Sequence, residues 1–137
     1  SFVVGDALAL PFPDGAFVCA TSGFSLRNVA DVNRMLAEAH RVLAPGGRIA
    51  ILELTPLPRR DVCTRLIHFY QRRIIPLLGA AVARDREAYT YLPTSVDAFA
   101  SPDEVSRALE TVGFREVRWR LLGFGTVAIH TGVKPPS

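Results

Sequence analysis

Short apolar runs alternate along this chain with longer segments in which apolar residues recur every three or four positions. The runs are typical of strands and cover residues 2–4, 16–24, 48–54, 117–121 and 126–130. The first three lack polar alternation, which predicts buried strands, while charges alternate through 117–121 as in a half-exposed strand. Amphipathic helices are predicted after residues 31, 61 and 101, and strands that alternate with helices favour an α/β sheet.

Start and stop signals sharpen the helix boundaries. Asp31 can cap the first helix, and the Pro-Gly-Gly at 45–47 ends it. The Ser-Pro-Asp-Glu at 101–104 is a strong helix start, and Gly113 is a natural stop. Glycines at 123 and 125 separate the last two strands, which suggests an antiparallel pair at one edge of the sheet.

Composition narrows the class of protein. With 137 residues the chain forms at most one domain, and 49% hydrophobic against 21% charged residues argues against wholesale disorder. The net charge of +3 fits either an anionic membrane surface or acidic ligand, or an ordinary arginine-rich surface. The sequence lacks a dense basic block interleaved with aromatics, so nucleic acid is not an expected partner. Cys19 and Cys63 fit no metal-ligand spacing, and we expect no metal site.

Four motifs follow one another in a characteristic order. Gly5-Asp6-Ala7 comes first, then Leu-Pro-Phe-Pro-Asp at 10–14, Phe-Ser-Leu-Arg-Asn-Val at 24–29, and Arg-Val-Leu-Ala-Pro-Gly-Gly at 41–47. A Tyr-x-Tyr-Leu-x-x-Ser-Val segment follows at 89–96. This order resembles the ubiquinone/menaquinone C-methyltransferase family, over roughly residues 2–134. The resemblance implies methyl transfer from S-adenosylmethionine to a ring carbon of a polyprenyl quinol, of the demethylmenaquinol type.

The resemblance also implies a fold, the Rossmann-like sheet of class I S-adenosylmethionine-dependent methyltransferases, with strand order 3-2-1-4-5-7-6. This sequence would hold strands three to seven, without strands one and two and without the family's glycine-rich cofactor loop. We therefore expect one incomplete methyltransferase domain over residues 1–137, with a helical cover at about 59–100.

Without strands one and two, the strand at 16–24 would present unpaired backbone groups along an apolar edge. Each such group costs about 1–3 kcal/mol if it is buried without a partner. The strand at 2–4 could collapse against this edge, two chains could pair as a homodimer, or an N-terminal partner chain could complete the sheet. We favour an association.

Cofactor-side residues are assigned by the resemblance as Asp6, Ala7, Phe24 and Ser25. Asp6 follows a strand end, where it can accept a hydrogen bond from the adenine amine, and Ala7 lines the same pocket. Asp6 could equally be a plain turn aspartate. Since the glycine-rich loop and the acidic ribose ligand are not in this sequence, we expect weak or no S-adenosylmethionine binding by this chain alone.

On the substrate side the resemblance assigns Arg27 and Asn28 as catalytic and quinol-binding residues. Arg27 cannot be an ordinary base, but it can stabilise a phenolate or hold a water that takes the proton. Asn28 can orient either ring oxygen, and Tyr89, Tyr91 and Ser95 can bond to the quinol oxygens. The alternatives are hydrogen bonds that fix the loop for the first pair and ordinary packing for the tyrosines.

The chain departs from the family at three positions. Ser25 replaces a usual glycine, Gly23 a usual serine and Val18 a usual aspartate. The arginine-flanked helix at 61–83 either covers the sheet or rests on a membrane and admits a prenyl tail. We expect a cytoplasmic location, with or without peripheral contact at the inner face of the membrane. Two other functions stay open: a non-catalytic association module, and methylation of another small hydrophobic acceptor.

Overall fold

The computed structural model describes residues 2–56 and 100–136. The chain divides into two units, Ser1–Leu54 with Ala100–Ser137 and Thr55–Phe99. All helices and strands of the described residues belong to the first unit. The helix predicted at 61–83, the helical cover at about 59–100 and the candidate residues Tyr89, Tyr91 and Ser95 lie outside the described residues.

The described strands form one mixed sheet. They are β1 (Phe17–Gly23), β2 (Leu43–Leu54), β3 (Arg115–Leu122) and β4 (Val127–Val133), in the order β1-β2-β4-β3. β1 runs parallel to β2, while β4 runs antiparallel to both β2 and β3. This is the predicted order of strands four to seven, and the predicted antiparallel pair at one edge is confirmed.

Two helices accompany the sheet in the described part, α1 (Val32–Val42) and α2 (Pro102–Thr111). Asp31 caps α1, since its carboxylate accepts a hydrogen bond from the amide of Arg34 at 3.0 Å. At the start of α2 the Glu104 carboxylate reaches back to the amide of Ser101 at 2.7 Å. Gly113 follows α2 with a φ of 111°, which favours glycine. The helices predicted after residues 31 and 101 are confirmed, although α1 ends at Val42, before the Pro-Gly-Gly at 45–47, which lies in β2.

The core lies between these helices and the sheet. Its apolar side chains are buried and come from both helices, from the sheet and from the connections: Leu26, Leu36, Val42, Leu43, Ile49, Ile51, Val105, Leu109, Phe114 and Ala128. In residues 2–56 and 100–136 there is no helix with the length and apolarity needed to cross a bilayer.

The N-terminal strand predictions were partly wrong. Residues 2–4 form no strand, and Phe2 and Val4 are fully exposed. A strand needs a hydrogen-bonded neighbour, and the described residues place none beside this segment. β1 forms as predicted but is not buried: Val18 is 80% exposed, and in the described part of the chain β1 pairs on one edge alone, with β2.

The end of the described chain extends the sheet beyond its predicted limits. The amide of Gly46 donates to the carbonyl of Lys134 at 2.9 Å, and the amide of Lys134 donates to the carbonyl of Gly47 at 2.8 Å. β2 therefore begins at Leu43 rather than at 48, and β4 runs to Val133 rather than to 130. The ammonium of Lys134 donates to the carbonyls of His40 at 2.8 Å and Leu43 at 2.7 Å, which satisfies orphan carbonyls at the end of α1.

Candidate functional site

A tight turn follows β1 at the carboxyl end of the strand. Phe24 adopts a φ of 56°, and its amide donates to the carbonyl of Leu52 on β2 at 2.8 Å. A short 3-10 helix, Leu26–Asn28, comes next and is anchored by the buried Leu26 side chain. A left-handed residue other than glycine costs on the order of 1–3 kcal/mol and is held only by its surroundings. The turn thus places residues 24–28 at the carboxyl ends of the strands, where open α/β folds bind ligands.

Glu53, on β2, accepts hydrogen bonds from this turn and is only 1% exposed. Its Oε2 accepts from the amide of Leu26 at 2.9 Å. Its Oε1 accepts from Nη1 of Arg27 at 2.5 Å and from the amide of Leu54 at 3.0 Å. Sequence reasoning missed Glu53, although the sequence contained a signal. Glu53 shares one face of a buried strand with Ile49 and Ile51, and a carboxylate there is costly unless it is paired.

Arg27 lies with its side chain almost wholly buried against Glu53. Nη1 makes the ion pair, while the buried Nε has no hydrogen-bond partner in the part of the chain that the structure describes. One edge of the guanidinium therefore fixes the loop, as the alternative interpretation proposed. The other edge, Nε with Nη2, is left for a further partner.

Asn28 is exposed and bonds within the turn. Its Nδ2 donates to the carbonyl of Phe24 at 3.1 Å, which stabilises the turn, so the loop-fixing interpretation describes this amide group. The amide oxygen of Asn28 accepts no hydrogen bond from the described residues. It remains available to accept a hydrogen bond from a ring hydroxyl.

A cavity of about 420 Å³ adjoins the turn and brings two of the predicted cofactor-side residues together, Ala7 and Ser25. Ser22 lines it as well, and its hydroxyl oxygen lies 2.5 Å from that of Ser25. Ser25, where the family usually has glycine, thus has a partner in Ser22. Apolar side chains complete the wall, including Leu10, Met35 and Ile51. Apolar walls with a few polar groups suit a flat heterocycle such as adenine.

Asp6 and Phe24, the other predicted cofactor residues, do not line this cavity. The Asp6 carboxylate accepts from the amide of Leu8 at 2.9 Å, which is the bond of a turn aspartate. Phe24 is exposed, and its contribution here is the backbone of the turn. Among the described residues, this cavity therefore offers a cofactor an apolar wall with the Ser22 and Ser25 hydroxyls, and no charged side chain lines it.

An arginine–carboxylate cluster fixes the loop that carries Asp6 and Ala7. Arg41 donates to the carbonyls of Leu10 at 3.0 Å and Phe12 at 2.8 Å, and to the carboxylate of Asp14 at 2.7 Å. Glu38 accepts from the amide of Leu10 at 2.8 Å and from Nε of Arg41 at 2.8 Å. These bonds, chiefly those from Arg41, lower the pKa of Glu38 to about 2. Sequence reasoning missed this cluster, which links residues far apart in the chain.

Solved structures share the fold of this chain. A SAM-dependent methyltransferase from Thermotoga maritima superimposes with a TM-score of 0.66, at 21% identity, over 97% of this chain and 64% of that one. The [4+2]-cyclase SpnF superimposes with a TM-score of 0.68, at 19% identity, over 99% of this chain and 56% of that one. The fold is thus that of the S-adenosylmethionine-dependent methyltransferases, and SpnF shows that the fold alone does not fix the reaction.

Sequence comparison identifies the family. Residues 1–134 match the model of the ubiE/COQ5 methyltransferase family, and the chain belongs to it. Demethylmenaquinone methyltransferase of Thermus thermophilus is 46% identical over 134 residues, which are 98% of this chain and 60% of the relative. The ubiquinone/menaquinone biosynthesis C-methyltransferase UbiE of Methylobacterium nodulans is 48% identical over 97% of this chain and 52% of the relative. The chain thus spans little more than half the length of these relatives.

Proposed function

We propose that this chain forms the acceptor side of an S-adenosylmethionine-dependent C-methyltransferase that methylates the ring of a demethylmenaquinol or a related polyprenyl quinol. The observation that carries the proposal is Arg27, which Glu53 fixes at the carboxyl end of β1 with one guanidinium edge unpaired among the described residues. Family membership and the names of the relatives support the reaction class.

The chemistry assigns separate tasks to the residues of the turn. A ring carbon becomes nucleophilic when a phenolic proton is lost to water. S-adenosylmethionine, when bound, would supply the electrophilic methyl group and leave as S-adenosylhomocysteine, and the methylated ring carbon would release its own hydrogen as a proton. A guanidinium carries only hydrogen-bond donors, so Arg27 donates to the phenolate oxygen or to the water that takes the proton. The amide oxygen of Asn28 accepts from the second ring hydroxyl. Tyr89, Tyr91 and Ser95 stay predictions for the quinol side.

For the cofactor, we assign the adenine to the cavity that Ala7 and Ser25 line, with the exposed Asp6 and Phe24 nearby in sequence as further predicted contacts. Since the sequence contains no glycine-rich cofactor loop, we propose that binding by this chain alone is weak or absent. Calorimetric titration of the chain with S-adenosylmethionine tests this: no heat, or millimolar affinity, is expected. Micromolar affinity would contradict it.

A methyl-transfer assay tests the reaction. The protein encoded by the longest reading frame that contains this chain is incubated with methyl-labelled S-adenosylmethionine and several acceptors, including demethylmenaquinol and a 2-methoxy-6-polyprenyl-1,4-benzoquinol. Label on a quinol ring carbon is expected, and Arg27→Met lowers its rate about 100-fold, as loss of an oxyanion donor does. Label that appears only on non-quinol acceptors would overturn the proposal.

The open edge of β1 favours a second candidate, a non-catalytic association module. β1 pairs on one edge alone in the described part, and Phe17 and Val18 on it are exposed. Such an edge recruits another strand, from a second copy or from an N-terminal partner chain. Light scattering after size exclusion discriminates: an inactive oligomer favours the module, and a monomer that turns over quinol favours the enzyme.

Peripheral membrane contact, predicted for the helix at 61–83, stays a prediction that vesicle flotation tests.

A further inference from the structure

We infer that Glu53 is a positioning residue for the acceptor ring: it orients Arg27 so that the Nε–Nη2 edge of the guanidinium is the edge offered to the phenolate oxygen. This inference rests on the proposed function, because it presumes a phenolate acceptor. It assigns Glu53 no contact with the acceptor.

Three N–H donors converge on the Glu53 carboxylate. Oε2 takes the amide of Leu26, while Oε1 takes Nη1 of Arg27 and the amide of Leu54. The residue is buried in the core face of β2. A carboxylate with both oxygens occupied and no access to solvent cannot collect a proton from a substrate. Its work is to hold other groups in place.

The geometry of the guanidinium group decides which N–H groups of Arg27 remain unpaired when Glu53 binds Nη1. Arginine carries its donors in a rigid planar fork, and the N–H of Nε points the same way as one N–H of Nη2. Since Nη1 is taken by Glu53, this two-donor edge is the free one, and its Nε is buried without a partner in the part of the chain that the structure describes. A buried unsatisfied donor is costly, and an anionic oxygen would satisfy it.

Backbone and side chain are positioned together. Glu53 bonds to the amide of Leu26 and to the side chain of Arg27, so the turn and the guanidinium cannot shift independently. A glutamine at this place has one acceptor oxygen, and its NH2 group would face one of the N–H donors. The site therefore requires a carboxylate and not merely a polar side chain of the same size.

The kinetic test uses Glu53→Gln in the protein encoded by the longest reading frame that contains this chain. We expect kcat to fall about 100-fold, as a misplacement of about 1 Å can cause, while KM for S-adenosylmethionine changes little. Glu104→Gln is the matched control, since it weakens a carboxylate cap of α2 and should leave kcat unchanged. Added guanidinium should rescue Arg27→Ala when Glu53 is present and fail to rescue the Arg27→Ala, Glu53→Gln double variant. Equal rescue in both would overturn the inference.

A binding readout separates this inference from the proposed reaction. The Arg27 Nε–H signal is assigned in proton–nitrogen spectra of the same protein by its loss in Arg27→Lys, and 4-nitrophenolate is added as the probe. We expect the probe to shift this signal in the wild type and to leave it unmoved in Glu53→Gln. Equal shifts would overturn the role of Glu53 even if methyl transfer occurs. Absence of quinol methylation with the expected shifts would overturn the reaction and leave the positioning role standing.

Discussion

Two arginine–carboxylate clusters in this molecule use the same chemical groups in opposite surroundings. Arg27 and Glu53 have side chains that are 11% and 2% exposed, at the turn after β1. Arg41 and Glu38 are 31% and 19% exposed, and the third member of the cluster, Asp14, is 81% exposed on the loop that also carries Asp6 and Ala7. Water therefore replaces a lost partner less readily in the first cluster than in the second.

This difference decides what each cluster can do. A buried pair costs several kcal/mol of desolvation, so it adds little net stability, but removal of one partner strands a charge. An exposed pair costs little to form and little to lose. The buried cluster therefore suits a fixed orientation at the candidate acceptor site. The exposed cluster suits a loop that is held by many bonds to backbone carbonyls.

The largest expected effect is that of Glu53→Leu. It leaves the Arg27 charge and two backbone amides without their acceptor, and should lower the free energy of unfolding by about 3–5 kcal/mol. Urea denaturation measures this, with Glu38→Leu as the matched variant of the exposed cluster. The comparison breaks if Glu38→Leu is as destabilising as Glu53→Leu.

Arg27→Met should have a smaller effect than Glu53→Leu. The methionine fills the same apolar space, and the Glu53 carboxylate keeps two backbone donors, so we expect a loss of about 1–3 kcal/mol. The same denaturation experiment measures it. A loss larger than that of Glu53→Leu would mean that the backbone amides contribute little to holding the carboxylate.

A third effect sets the pH at which the clusters should be compared. Burial lowers the pKa of His130, whose Nε2 lies 3.1 Å from the carbonyl of Pro102. Because the folded state holds this proton less tightly than the unfolded state, stability is complete above the ordinary pKa of about 6.5 and declines as pH falls below it. Denaturation at pH 7.5 and pH 5.5 should show the decline, and His130→Leu should reduce it. A decline of equal size in His130→Leu would assign the titration to another group.

The smallest effect is a titration of the exposed cluster. Arg41 lowers the pKa of Glu38 from 4.5 to about 2. The contribution of this carboxylate is therefore complete above about 4.5 and is lost as pH falls towards about 2. The amide signal of Leu10, which donates to Glu38, should shift with a midpoint near pH 2. A midpoint near 4.5 would mean that the loop does not hold Glu38 against Arg41 in solution.

Much of the secondary structure could be predicted from local signals in the sequence. The caps at Asp31 and Ser101 and the stop at Gly113 depend on neighbouring residues, so both helices could be predicted. The strand order came from the family resemblance. The exposure of β1 and the lack of a strand at 2–4 depend on what lies beside them in space. An apolar run states its preference for burial but not whether a neighbour is present.

The candidate site was predicted unevenly for the same reason. Arg27, Asn28 and Ser25 were found because they stand together in one motif. Glu53 lies 26 residues after Arg27, and no motif marks it, although its place among buried strand residues could have been questioned. The hydrogen bonds from Arg41 to the carbonyls of Leu10 and Phe12 join residues that are still farther apart in the sequence, and they depend on the path of the chain. Contacts of this kind are decided by packing rather than by local pattern.

The Lys134 ammonium has a consequence for the order of events at the ribosome. It closes the end of α1 from 94 residues downstream of His40. At a synthesis rate of about 5–20 residues per second, roughly 5–20 s pass after synthesis of His40 before Lys134, which bonds to the carbonyls at that end of the helix, is added to the chain. During this interval the nascent helix can fray at that end, and a stop codon just before Lys134 would make the fraying permanent.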